Sequence, residues 1–370
     1  MRILLATGIF PPDVGGPATY VPSFASACVL RGHTATVIAY GNSLGRDAFS
    51  FPVVSIPRWP LPFRYALFFL ACVRYGFSTD IVFAQDGFSS GIPAFFASVI
   101  IRRRLVVKIV GDAAWEYARN VGMTDDTIDL FQNRTSYPLI IKAIRFFQRA
   151  VCRHSSQVIV PSDYLKRVVI RWGVSPDMIV VIRNTAPRSL PSASFSRDHT
   201  RFFSAGRLVL WKHFDILIRA FARVSADYPR ARFSIAGDGP CREMLESEIA
   251  RTGMGERITL LGILPPSEMA AWYSRAGCFL LFSDYEGLSH VLLEAISYGL
   301  PVIASNAGGN SETVKHGENG ILVPYGDEAA LVTAMISFLR DPALIPHPGP
   351  SRSDPYSFDD QIAFTLRALS

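Results

Sequence analysis

The chain has 370 residues, of which 49% are hydrophobic and 18% are charged, and its net charge is +6. This composition is too apolar for an intrinsically disordered chain, and the length is sufficient for two domains that each bury a core. The charge is uneven, because residues 1–185 hold 20 Lys and Arg against 11 Asp and Glu, whereas the remainder holds 17 against 20.

The basic first half restricts the expected partners. Phosphate groups and anionic lipid are favoured, although solvated surface charges without a function are the alternative. Nucleic acid is not expected, since the sequence contains no zinc finger, basic zipper or RNA-binding strand signature.

The apolar runs are too short to cross a bilayer. The longest are Gly91–Ile101, which three arginines follow, and Ala66–Val73, which lies between Arg64 and Arg74, and both fall short of the roughly 18 residues that a spanning helix needs. Met1-Arg2 leads directly into Ile3–Ala6, which predicts a buried first strand rather than a secretion signal. The five cysteines are scattered without a C-x-x-C pair. We therefore expect no disulfide framework, no zinc site and a reducing, cytoplasmic location.

Short β-branched runs alternate with helical patterns in the first half. The predicted strands are Ile3–Ala6, Thr34–Ala39, Val53–Ile56, Ile81–Ala84, Leu105–Ile109 and Val158–Val160. Helices are predicted at Ala18–Leu30 and Arg64–Tyr75, and helix-like stretches follow the later strands. Strands separated by helices predict βαβ units and a parallel sheet.

The second half repeats this plan after a stretch rich in Pro, Ser and Arg. The predicted strands are Arg201–Ala205, Arg232–Ala236, Ile258–Leu261, Phe279–Phe282, Val302–Ala304 and Gly320–Val323. The predicted helices are Phe214–Tyr228, Arg242–Arg251, Ser289–Tyr298 and Pro355–Leu369. Two similar α/β halves predict a ligand site in the cleft between them, beyond the carboxyl ends of the strands.

Basic residues follow the first strand of the second half. The segment Gly206–Lys212 lies between a predicted strand and a predicted helix, and it carries Arg207 and Lys212. Two cations at a strand end can neutralise a diphosphate, and Gly206 allows the backbone to turn sharply. Gly237-Asp238-Gly239-Pro240 forms the next strand-to-helix loop, in which glycine permits close backbone approach. Considered alone, each loop could be a solvated turn without a ligand.

A third loop, within Asp284–Glu294, carries two carboxylates with seven residues between them. Glu286 precedes a predicted helix that Ser289 caps, and Glu294 lies inside that helix. The backbone N–H groups of residues 288–290 would form an anion site at the helix start. One carboxylate could accept hydrogen bonds from a ribose and the other from a sugar ring. The alternative is a turn residue and an exposed helix charge, but three anion-suited loops at successive strand ends favour a site.

The first half has weaker loop signals. Gly15-Gly16 opens a helix and can approach a phosphate or a sugar ring, although it does not match the G-x-G-x-x-G dinucleotide pattern. Asp86 and Asp112 also follow predicted strands. Each could accept a hydrogen bond from an acceptor hydroxyl or cap the next helix, and capping is favoured for Asp86.

Together these motifs resemble the retaining glycosyltransferases of the GT-B fold, in the family 4 class that uses nucleotide-sugar donors. The resemblance extends over nearly the whole chain. It rests on Gly15-Gly16, Arg31-Gly32-His33, Gly206-Arg207…Lys212, Gly237-Asp238-Gly239-Pro240, Glu286-x7-Glu294 and Gly308-Gly309-x-x-Glu312. The two glutamates and the Arg207–Lys212 pair are the most specific of these motifs.

The resemblance implies an α/β fold of two Rossmann-like domains that face each other across a cleft. It implies that residues 1–185 bind the acceptor, that residues 201–350 bind the nucleotide sugar and that residues 186–200 link the two. Residues 351–370 are expected to form a terminal helix that crosses back to the first domain.

The resemblance also implies roles for the matched residues. Arg207 and Lys212 would stabilise the departing nucleoside diphosphate, Glu294 would bind the ribose, and Glu286 would lie beside the donor sugar. Ile263 would lie near the base. The implied donor-binding residues are Gly16, Gly206, Arg207, Lys212, Gly239, Ile263, Glu286, Gly287, Leu288, Ser289 and Glu294. The implied catalytic residues are Arg207, Lys212, Glu286 and Asp112.

No cofactor and no metal are expected, because two cations and a helix dipole would take over the role of a metal. The implied substrates are a UDP- or GDP-sugar donor and a carbohydrate or lipid-linked acceptor, as in polysaccharide or glycoconjugate biosynthesis. Two residues depart from the family pattern. Gly111 stands where many relatives have histidine, and His213 stands where glycine is common.

The segment Arg58–Leu70 mixes basic and aromatic residues. Because the first half is basic as a whole, this segment suggests a peripheral contact with an anionic membrane that holds a lipid-linked acceptor. A core helix with a proline-rich entry is the alternative interpretation of the same residues.

Two other functions stay open at this point. A nucleotide-sugar epimerase shares the architecture, but it needs carboxylate and histidine groups that the sequence does not place. A non-catalytic relative that only binds a nucleotide or a glycan is disfavoured by the intact Arg207, Lys212, Glu286 and Glu294.

Overall fold

The computed structural model describes residues 1–13, 15–41, 49–186, 197–345 and 357–370. They divide into two compact units. The first comprises Met1–Ala118, Asp129–Arg183 and Asp359–Ser370, and the second comprises Arg119–Ile128 and Asn184–Phe358. Most of the predicted linker, residues 187–196, lies outside the described residues, as do residues 346–356 ahead of the terminal helix.

A parallel sheet forms the centre of the first unit. Its described strands are β1 Arg2–Thr7, β2 Thr34–Tyr40, β3 Val53–Ile56, β4 Ile81–Ala84, β5 Arg104–Lys108, β6 Gln157–Val160 and β7 Ile179–Val181. Their order is β3-β2-β1-β4-β5-β6-β7, and Ile3 of β1 pairs with Ala35 on one side and Ile81 on the other. β1 and β4 are almost continuously apolar and buried, as expected for parallel strands that helices cover on both faces.

Helices connect these strands. They are α1 Gly16–Leu30, α2 Leu61–Gly76, α3 Gly91–Ile100, α4 Ala113–Asn120, α5 Ile128–Asn133, α6 Leu139–His154 and α7 Asp163–Arg171. Residues of α4 and α5 fall partly in the second unit, because that unit includes Arg119–Ile128.

The second unit contains a parallel sheet with the same arrangement. Its described strands are β8 Asp198–Ala205, β9 Arg232–Ala236, β10 Ile258–Gly262, β11 Ala276–Leu281, β12 Val302–Ser305 and β13 Gly320–Val323, in the order β10-β9-β8-β11-β12-β13. Its helices are α8 Phe214–Asp227, α9 Arg242–Arg251, α10 Pro266–Arg275, α11 His290–Ser297, α12 Asn310–Thr313 and α13 Glu328–Arg340.

Alternation along the central strands builds two cores in the second unit, one on each face of the sheet. Phe202 of β8 and Leu280 of β11 belong to one cluster, which α8 and α13 cover. Phe203 and Phe279 belong to the other cluster, which includes Leu292 of α11.

The terminal helix, α14 Phe358–Leu369, packs against other elements of the first unit. The Thr365 hydroxyl lies 3.2 Å from the Tyr20 hydroxyl on α1, and Arg31 donates to the Asp359 carboxylate at 2.8 Å. Arg104 at the start of β5 donates to the Ser370 carbonyl at 2.8 Å. These contacts attach the end of the chain to its first half.

The predicted α/β fold with two parallel sheets is confirmed, and several boundaries differ. β8 begins at Asp198 instead of Arg201, because Asp198 already pairs with Ala276 of β11. α2 begins at Leu61 rather than Arg64, since a proline such as Pro62 is tolerated in the first helical turn. β7, α10, α12 and α13 were not predicted.

Candidate functional site

Three loops at the carboxyl ends of neighbouring strands carry most of the predicted site residues. Residues 206–213 follow β8, residues 237–241 follow β9 and residues 282–289 follow β11. β9 and β11 are the two neighbours of β8 in the sheet. Carboxyl ends of parallel strands lie at one edge, so the three loops belong to one cluster.

Glycines bring the first two loops into backbone contact. A Cβ added at Gly237 would lie 1.9 Å from the carbonyl oxygen of Gly206, and one added at Gly239 would lie 2.5 Å from that of Leu208. The Leu208 N–H donates to the Asp238 carbonyl at 3.0 Å, and the Cys241 N–H donates to the Leu208 carbonyl at the same distance. Gly239 therefore has a packing role of its own in the second unit.

Glu286 lies in a buried loop and faces a lysine. Its carboxylate contacts the Lys212 ammonium and accepts a hydrogen bond from the Ser283 hydroxyl at 3.0 Å. The Lys212 and Glu286 side chains are 14% and 11% exposed. The two sequence-predicted residues thus meet as a nearly buried ion pair, in which each compensates the charge of the other.

The Gly308-Gly309 motif supports the Glu286 loop through its backbone. The Gly309 N–H donates to the Glu286 carbonyl at 2.7 Å. A Cβ at Gly308, which has φ of +57°, would lie 2.4 Å from that carbonyl oxygen, and a Cβ at Gly309 would lie 2.5 Å from the Gly287 carbonyl oxygen. Only glycine permits this approach, so the motif positions the acidic loop.

Asp284 forms a second charged cluster, which the sequence interpretation missed. Its side chain is fully buried; one oxygen accepts from Arg119 at 2.8 Å and the other contacts the His213 imidazole. Burial is the main cause of a raised pKa of Tyr325, and the hydrogen bond to Asp284 and the charge of Asp284 raise this pKa further. Arg119 lies far from the motifs in sequence and follows no strand, so no local signal pointed to it.

His213 adopts a left-handed conformation. With φ of +45° and ψ of 43°, it ends the short 3₁₀ helix Leu210–Lys212 and precedes α8. Glycine occupies such a position without strain, whereas histidine does so at some cost. This geometry would suit the glycine that the resemblance implies at this position.

The start of α11 has an unsatisfied hydroxyl. Ser289 is the residue before the helix, as predicted, but its side chain makes no capping hydrogen bond. The Ser289 Oγ is buried and hydrogen-bonds to no other described residue. The neighbouring Leu288 carbonyl accepts from Asn184 at 3.2 Å. The helix start therefore presents a free donor beside the N–H groups that were predicted to bind an anion.

Glu294 lies one turn inside α11 and is half-buried. Its carboxylate accepts a hydrogen bond from the Tyr273 hydroxyl at 2.8 Å. Burial raises the pKa of Glu294, and the hydrogen bond from Tyr273 partly opposes this effect. Tyr273 thus orients the carboxylate, and no local pattern had indicated this partner.

Two predicted donor-binding residues of the second unit are exposed. Arg207 reaches solvent from the loop after β8, and its side chain pairs with none of the described residues. Ile263, directly after β10, is 59% exposed. An exposed cation and an exposed apolar side chain at this sheet edge are available to a ligand.

Gly16 and Asp112 belong to the first unit. Gly16 is the exposed first residue of α1. The buried Asp112 carboxylate accepts from the Ala114 and Trp115 N–H groups at 2.9 and 3.1 Å and from the Gln132 amide at 2.8 Å. Asp86 receives comparable hydrogen bonds from residues 88–90. Both aspartates therefore cap helices or turns, the role that was favoured for Asp86.

Other classes of site have little support in the described residues. In that part of the chain, no group of three or more His, Cys, Asp and Glu side chains is arranged to hold a metal ion. The five cysteines are buried and free. None of the helices described is both long and apolar enough to cross a membrane.

Comparison with known proteins places the two halves in related families. A model of the glycosyl transferases group 1 matches residues 190–352, and a model of the glycosyl transferase 4-like domain matches residues 15–185. The structure of Anabaena Alr3699/HepE in complex with UDP and glucose superimposes with a TM-score of 0.78 at 21% identity, over 100% of both chains. This likeness establishes the GT-B fold.

Sequence relatives cover different parts of the chain. One component of the phosphatidylinositol N-acetylglucosaminyltransferase of Arabidopsis thaliana is 25% identical over 85% of this chain and 69% of its own length. A GDP-mannose-dependent α-(1-6)-phosphatidylinositol monomannoside mannosyltransferase of Mycolicibacterium smegmatis is 35% identical over 37% of each chain. The match to exopolysaccharide phosphotransferase SCO2592 of Streptomyces coelicolor, 38% identical, spans 38% of this chain and 15% of that protein.

Proposed function

The chain belongs to the glycosyl transferases group 1, and from this premise we propose that it transfers a sugar from a nucleoside diphosphate sugar to a hydroxyl acceptor. The proposal includes retention of configuration at the anomeric carbon, as in family 4, and independence of a metal ion. Its donor site is the loop cluster of the second unit.

The observation that carries this proposal is the contact between Lys212 and Glu286 beside the start of α11. A diphosphate bound there would receive the Lys212 ammonium, the exposed Arg207 guanidinium and the free Ser289 hydroxyl. Glu286 would then lie next to the sugar that the diphosphate carries.

These residues would act mainly on the leaving group. When the bond between the anomeric carbon and the diphosphate oxygen breaks, its electron pair goes to the diphosphate, and Arg207 and Lys212 stabilise the added negative charge. Glu286 would stabilise the positive charge that develops on the sugar. The acceptor oxygen bonds to the anomeric carbon from the same face and gives its proton to a diphosphate oxygen.

The remaining predicted residues would bind and orient the donor. Glu294, held by Tyr273, would accept hydrogen bonds from the ribose, and Ile263 would contact the base. Gly206, Gly239 and Gly287 would allow the backbone to approach the donor, as the resemblance implies. The two cations and the α11 dipole support the proposed absence of a metal, because they supply the positive charge that a metal would bring.

The first unit would supply the acceptor side. Gly16, at the exposed start of α1, would approach the substrates closely. A carboxylate has about four lone-pair sites, and the three hydrogen bonds to Asp112 leave one of them for an acceptor hydroxyl. In this proposal Asp112 both caps α4 and orients the acceptor.

The names of similar proteins suggest substrate classes to test. UDP appears in the HepE complex, and GDP-mannose appears in the name of the mycobacterial mannosyltransferase. Two relatives are named for phosphatidylinositol acceptors. We therefore propose a UDP- or GDP-sugar donor and a lipid-linked or glycan acceptor, with the protein at the cytoplasmic face of a membrane. The five free, buried cysteines suit a reducing compartment.

A donor screen tests the proposal. Thermal shift and calorimetry with UDP, GDP and ADP should identify one nucleotide that binds and stabilises the chain. Its sugar derivatives are then assayed for hydrolysis and transfer, and NMR of the product should show retained anomeric configuration. Epimerised donor sugar in place of a transfer product would support the epimerase alternative. Tight nucleotide binding without turnover for any acceptor would support a non-catalytic relative.

A further inference from the structure

Three helices of the first unit present a common surface to solvent. α2 packs against α3, and α3 packs against α6. The rings of Phe95 on α3 and His154 on α6, 6.1 Å apart between centroids, illustrate the second contact. We call the solvent-facing side of these helices, together with residues 58–60 ahead of α2, the three-helix face.

Large apolar side chains are exposed along the three-helix face. The exposed fraction is 63% for Phe63 on α2, 61% for Val99 on α3 and 67% for Phe146 on α6. The other exposed large apolar residues of the face are Trp59, Leu61, Leu70, Tyr75, Phe96, Ile100, Leu139, Ile140 and Phe147. In the α-helices described for the second unit, Met244, at 41%, is the one large apolar residue that is exposed. Scattered exposed apolar residues are ordinary, but such a concentration marks an interaction surface.

The charge of the same helices has one sign. Their charged residues are Arg64, Arg74, Lys142, Arg145, Arg149 and Arg153, and α2, α3 and α6 contain no Asp or Glu. Three further arginines, residues 102–104, follow α3. By contrast, α8, α9 and α13 of the second unit mix acidic and basic residues.

None of these helix cations forms an ion pair with a described carboxylate, although the charge of the buried Asp112 acts on Arg149. The Arg145 guanidinium donates to two backbone carbonyls, at 2.9 and 3.2 Å, and Arg153 donates to the Trp172 carbonyl at 2.6 Å. Carbonyl oxygens hold a guanidinium in place without cancelling its charge. Arg74 and Lys142 are exposed. A partner that binds this face would therefore have to supply anions.

We propose that the three-helix face docks on an anionic lipid bilayer. Lipid headgroups would pair with the cations, and the interfacial region would accept the phenyl and aliphatic side chains between them. A second copy of the chain fits less well, because two such faces would oppose cations to cations. Nucleic acid would satisfy the charge but leave the exposed Leu, Val and Phe side chains in water.

This inference rests on the proposed function, and it names the surface through which the enzyme reaches a lipid-linked acceptor. It extends the contact beyond the segment Arg58–Leu70 to two further helices. α6 contributes the largest share of the charge, and α3 contributes apolar side chains without a single charged residue.

Vesicle sedimentation of the full chain tests the three-helix face. Vesicles of phosphatidylcholine alone are compared with vesicles that contain about 30% phosphatidylglycerol. We expect binding to the anionic vesicles only, and its loss in about 0.5 M salt. The double variant Arg74→Glu/Lys142→Glu should weaken binding at least tenfold, since each charge near an anionic surface contributes about fivefold. Val99→Gln/Phe146→Gln should weaken it at low salt as well, because the apolar contact is removed.

Matched controls lie on exposed helices of the second unit. Met244→Gln removes one exposed apolar side chain there and Arg340→Glu reverses one exposed charge, and both should leave vesicle binding unchanged. Circular dichroism melting of each variant confirms that it is folded. Absence of wild-type binding to anionic vesicles would overturn the proposal, and so would equal weakening by the controls. Self-association that Val99→Gln/Phe146→Gln abolishes, without vesicle binding, would overturn it in favour of a second copy.

Calorimetric binding of the donor nucleotide by the same preparations separates the two proposals. The variants of the three-helix face should bind nucleotide as the wild type does, because none of them lies in the loop cluster of the second unit. Wild-type chain that binds nucleotide and transfers sugar to a water-soluble acceptor, yet fails to bind anionic vesicles, would refute the membrane surface alone. Absence of nucleotide binding in the wild type would refute the proposed function.

Discussion

Lys212 and Glu286 balance each other in the structure, and a diphosphate would change that balance. Both side chains are nearly buried, at 14% and 11% exposure, and their charged ends are in contact. An arriving diphosphate would give Lys212 a second anion, with a larger charge than the carboxylate. Glu286 would keep its hydrogen bond from Ser283 and become available to the sugar. The pair thus keeps the site charge-compensated before the donor binds.

We predict that Lys212→Ala lowers turnover at least about 100-fold, because it removes one preorganised charge from the leaving group. Initial rates of transfer at saturating donor measure the effect. The control Lys315→Ala removes an exposed lysine of the second unit, whose ammonium bonds only to the Ser311 carbonyl among the described residues, and should retain normal turnover. Near-normal turnover of Lys212→Ala would remove this lysine from the mechanism.

His213 combines a strained backbone with a contact to the buried Asp284 carboxylate. His213→Asn should be the most stable replacement, since asparagine tolerates the left-handed region and can still donate to Asp284. His213→Gly should follow, because it relieves the strain but loses the hydrogen bond. His213→Val should be least stable, by about 2 kcal/mol or more, because a β-branched residue suffers in this conformation. Urea denaturation gives the order, and a valine variant as stable as asparagine would contradict the conformational explanation.

Lys108 is a buried lysine at the end of β5, with its side-chain nitrogen 3.6 Å from the centre of the Tyr20 ring. Burial lowers the pKa of Lys108 to about 7. An unfolded lysine has a pKa of about 10.4, so between about pH 7 and pH 10 the unfolded chain holds more protons at this residue than the native chain. The contribution of Lys108 to the free energy of unfolding therefore rises with pH between about pH 7 and pH 10.

We predict that Lys108→Met stabilises the first unit at pH 7 by on the order of 3 kcal/mol, since the cost of desolvating the amine exceeds the contact with Tyr20. The gain should shrink as the pH approaches about 10, where the unfolded lysine also loses its proton. Urea denaturation at both pH values measures the difference between wild type and variant. Lys142→Met, at an exposed lysine, should show no such dependence. An equal gain at both pH values would contradict the assignment of a buried, largely neutral lysine.

The strand-to-helix loops of the second unit depend on backbone contacts with neighbouring loops. The loop after β8 touches the loop after β9 through Gly237 and Gly239, and the acidic loop after β11 rests on Gly308 and Gly309. These contacts lie between loops that are distant in sequence but adjacent in the sheet. The sheet order therefore decides which glycines are needed.

We predict that Gly308→Ala lowers both stability and donor affinity, because the new Cβ would lie 2.4 Å from the Glu286 carbonyl oxygen and displace the acidic loop. Gly317→Ala is the matched control: its φ is +80°, but nothing lies within 4 Å of the added Cβ. It should cost about 1 kcal/mol of backbone strain and leave nucleotide affinity intact. Calorimetric titration of the two variants separates strain from loop displacement. Equal nucleotide affinity in both would contradict the support of Glu286 by Gly308.

The strands and the cluster of charged loops were predictable from the sequence, because both depend on local signals. β3, β4, β9 and β13 have the predicted bounds, since their short apolar runs end at turn residues. The shared location of the Lys212 and Glu286 loops followed from the rule that carboxyl ends of parallel strands share an edge, whereas their direct contact was not predicted. The edge strand β7 was missed because Ile179–Val181 is too short to show a period.

Partners that come from elsewhere in the chain were not predictable. Arg119 reaches Asp284 across 165 positions of sequence, and Tyr273 on α10 reaches Glu294 on α11. The sequence could not decide whether Asp112 caps a helix or binds an acceptor hydroxyl. The hydrogen bonds that Asp112 accepts from Ala114 and Gln132 depend on the tertiary structure. Local pattern identifies chemistry-bearing residues, whereas their orientation is set by tertiary contacts.

The two units share one sheet arrangement but carry different surfaces. Both units have a central parallel sheet whose first strand is flanked by the second and the fourth. The first unit carries the basic, apolar three-helix face, and the second carries the loop cluster with Arg207, Lys212, Glu286 and Glu294. This division agrees with the uneven charge of the sequence, in which residues 1–185 hold nearly twice as many Lys and Arg as Asp and Glu.

A crystal structure with the nucleoside diphosphate sugar selected by the donor screen tests the proposed donor site most directly. We predict that the diphosphate lies within hydrogen-bond distance, about 3 Å, of the Lys212 ammonium and the Ser289 hydroxyl. The ribose should contact Glu294, and the sugar should lie beside Glu286. A donor bound away from the loops after β8 and β11, or bound with Lys212 and Glu286 still facing only each other, would contradict the proposed site.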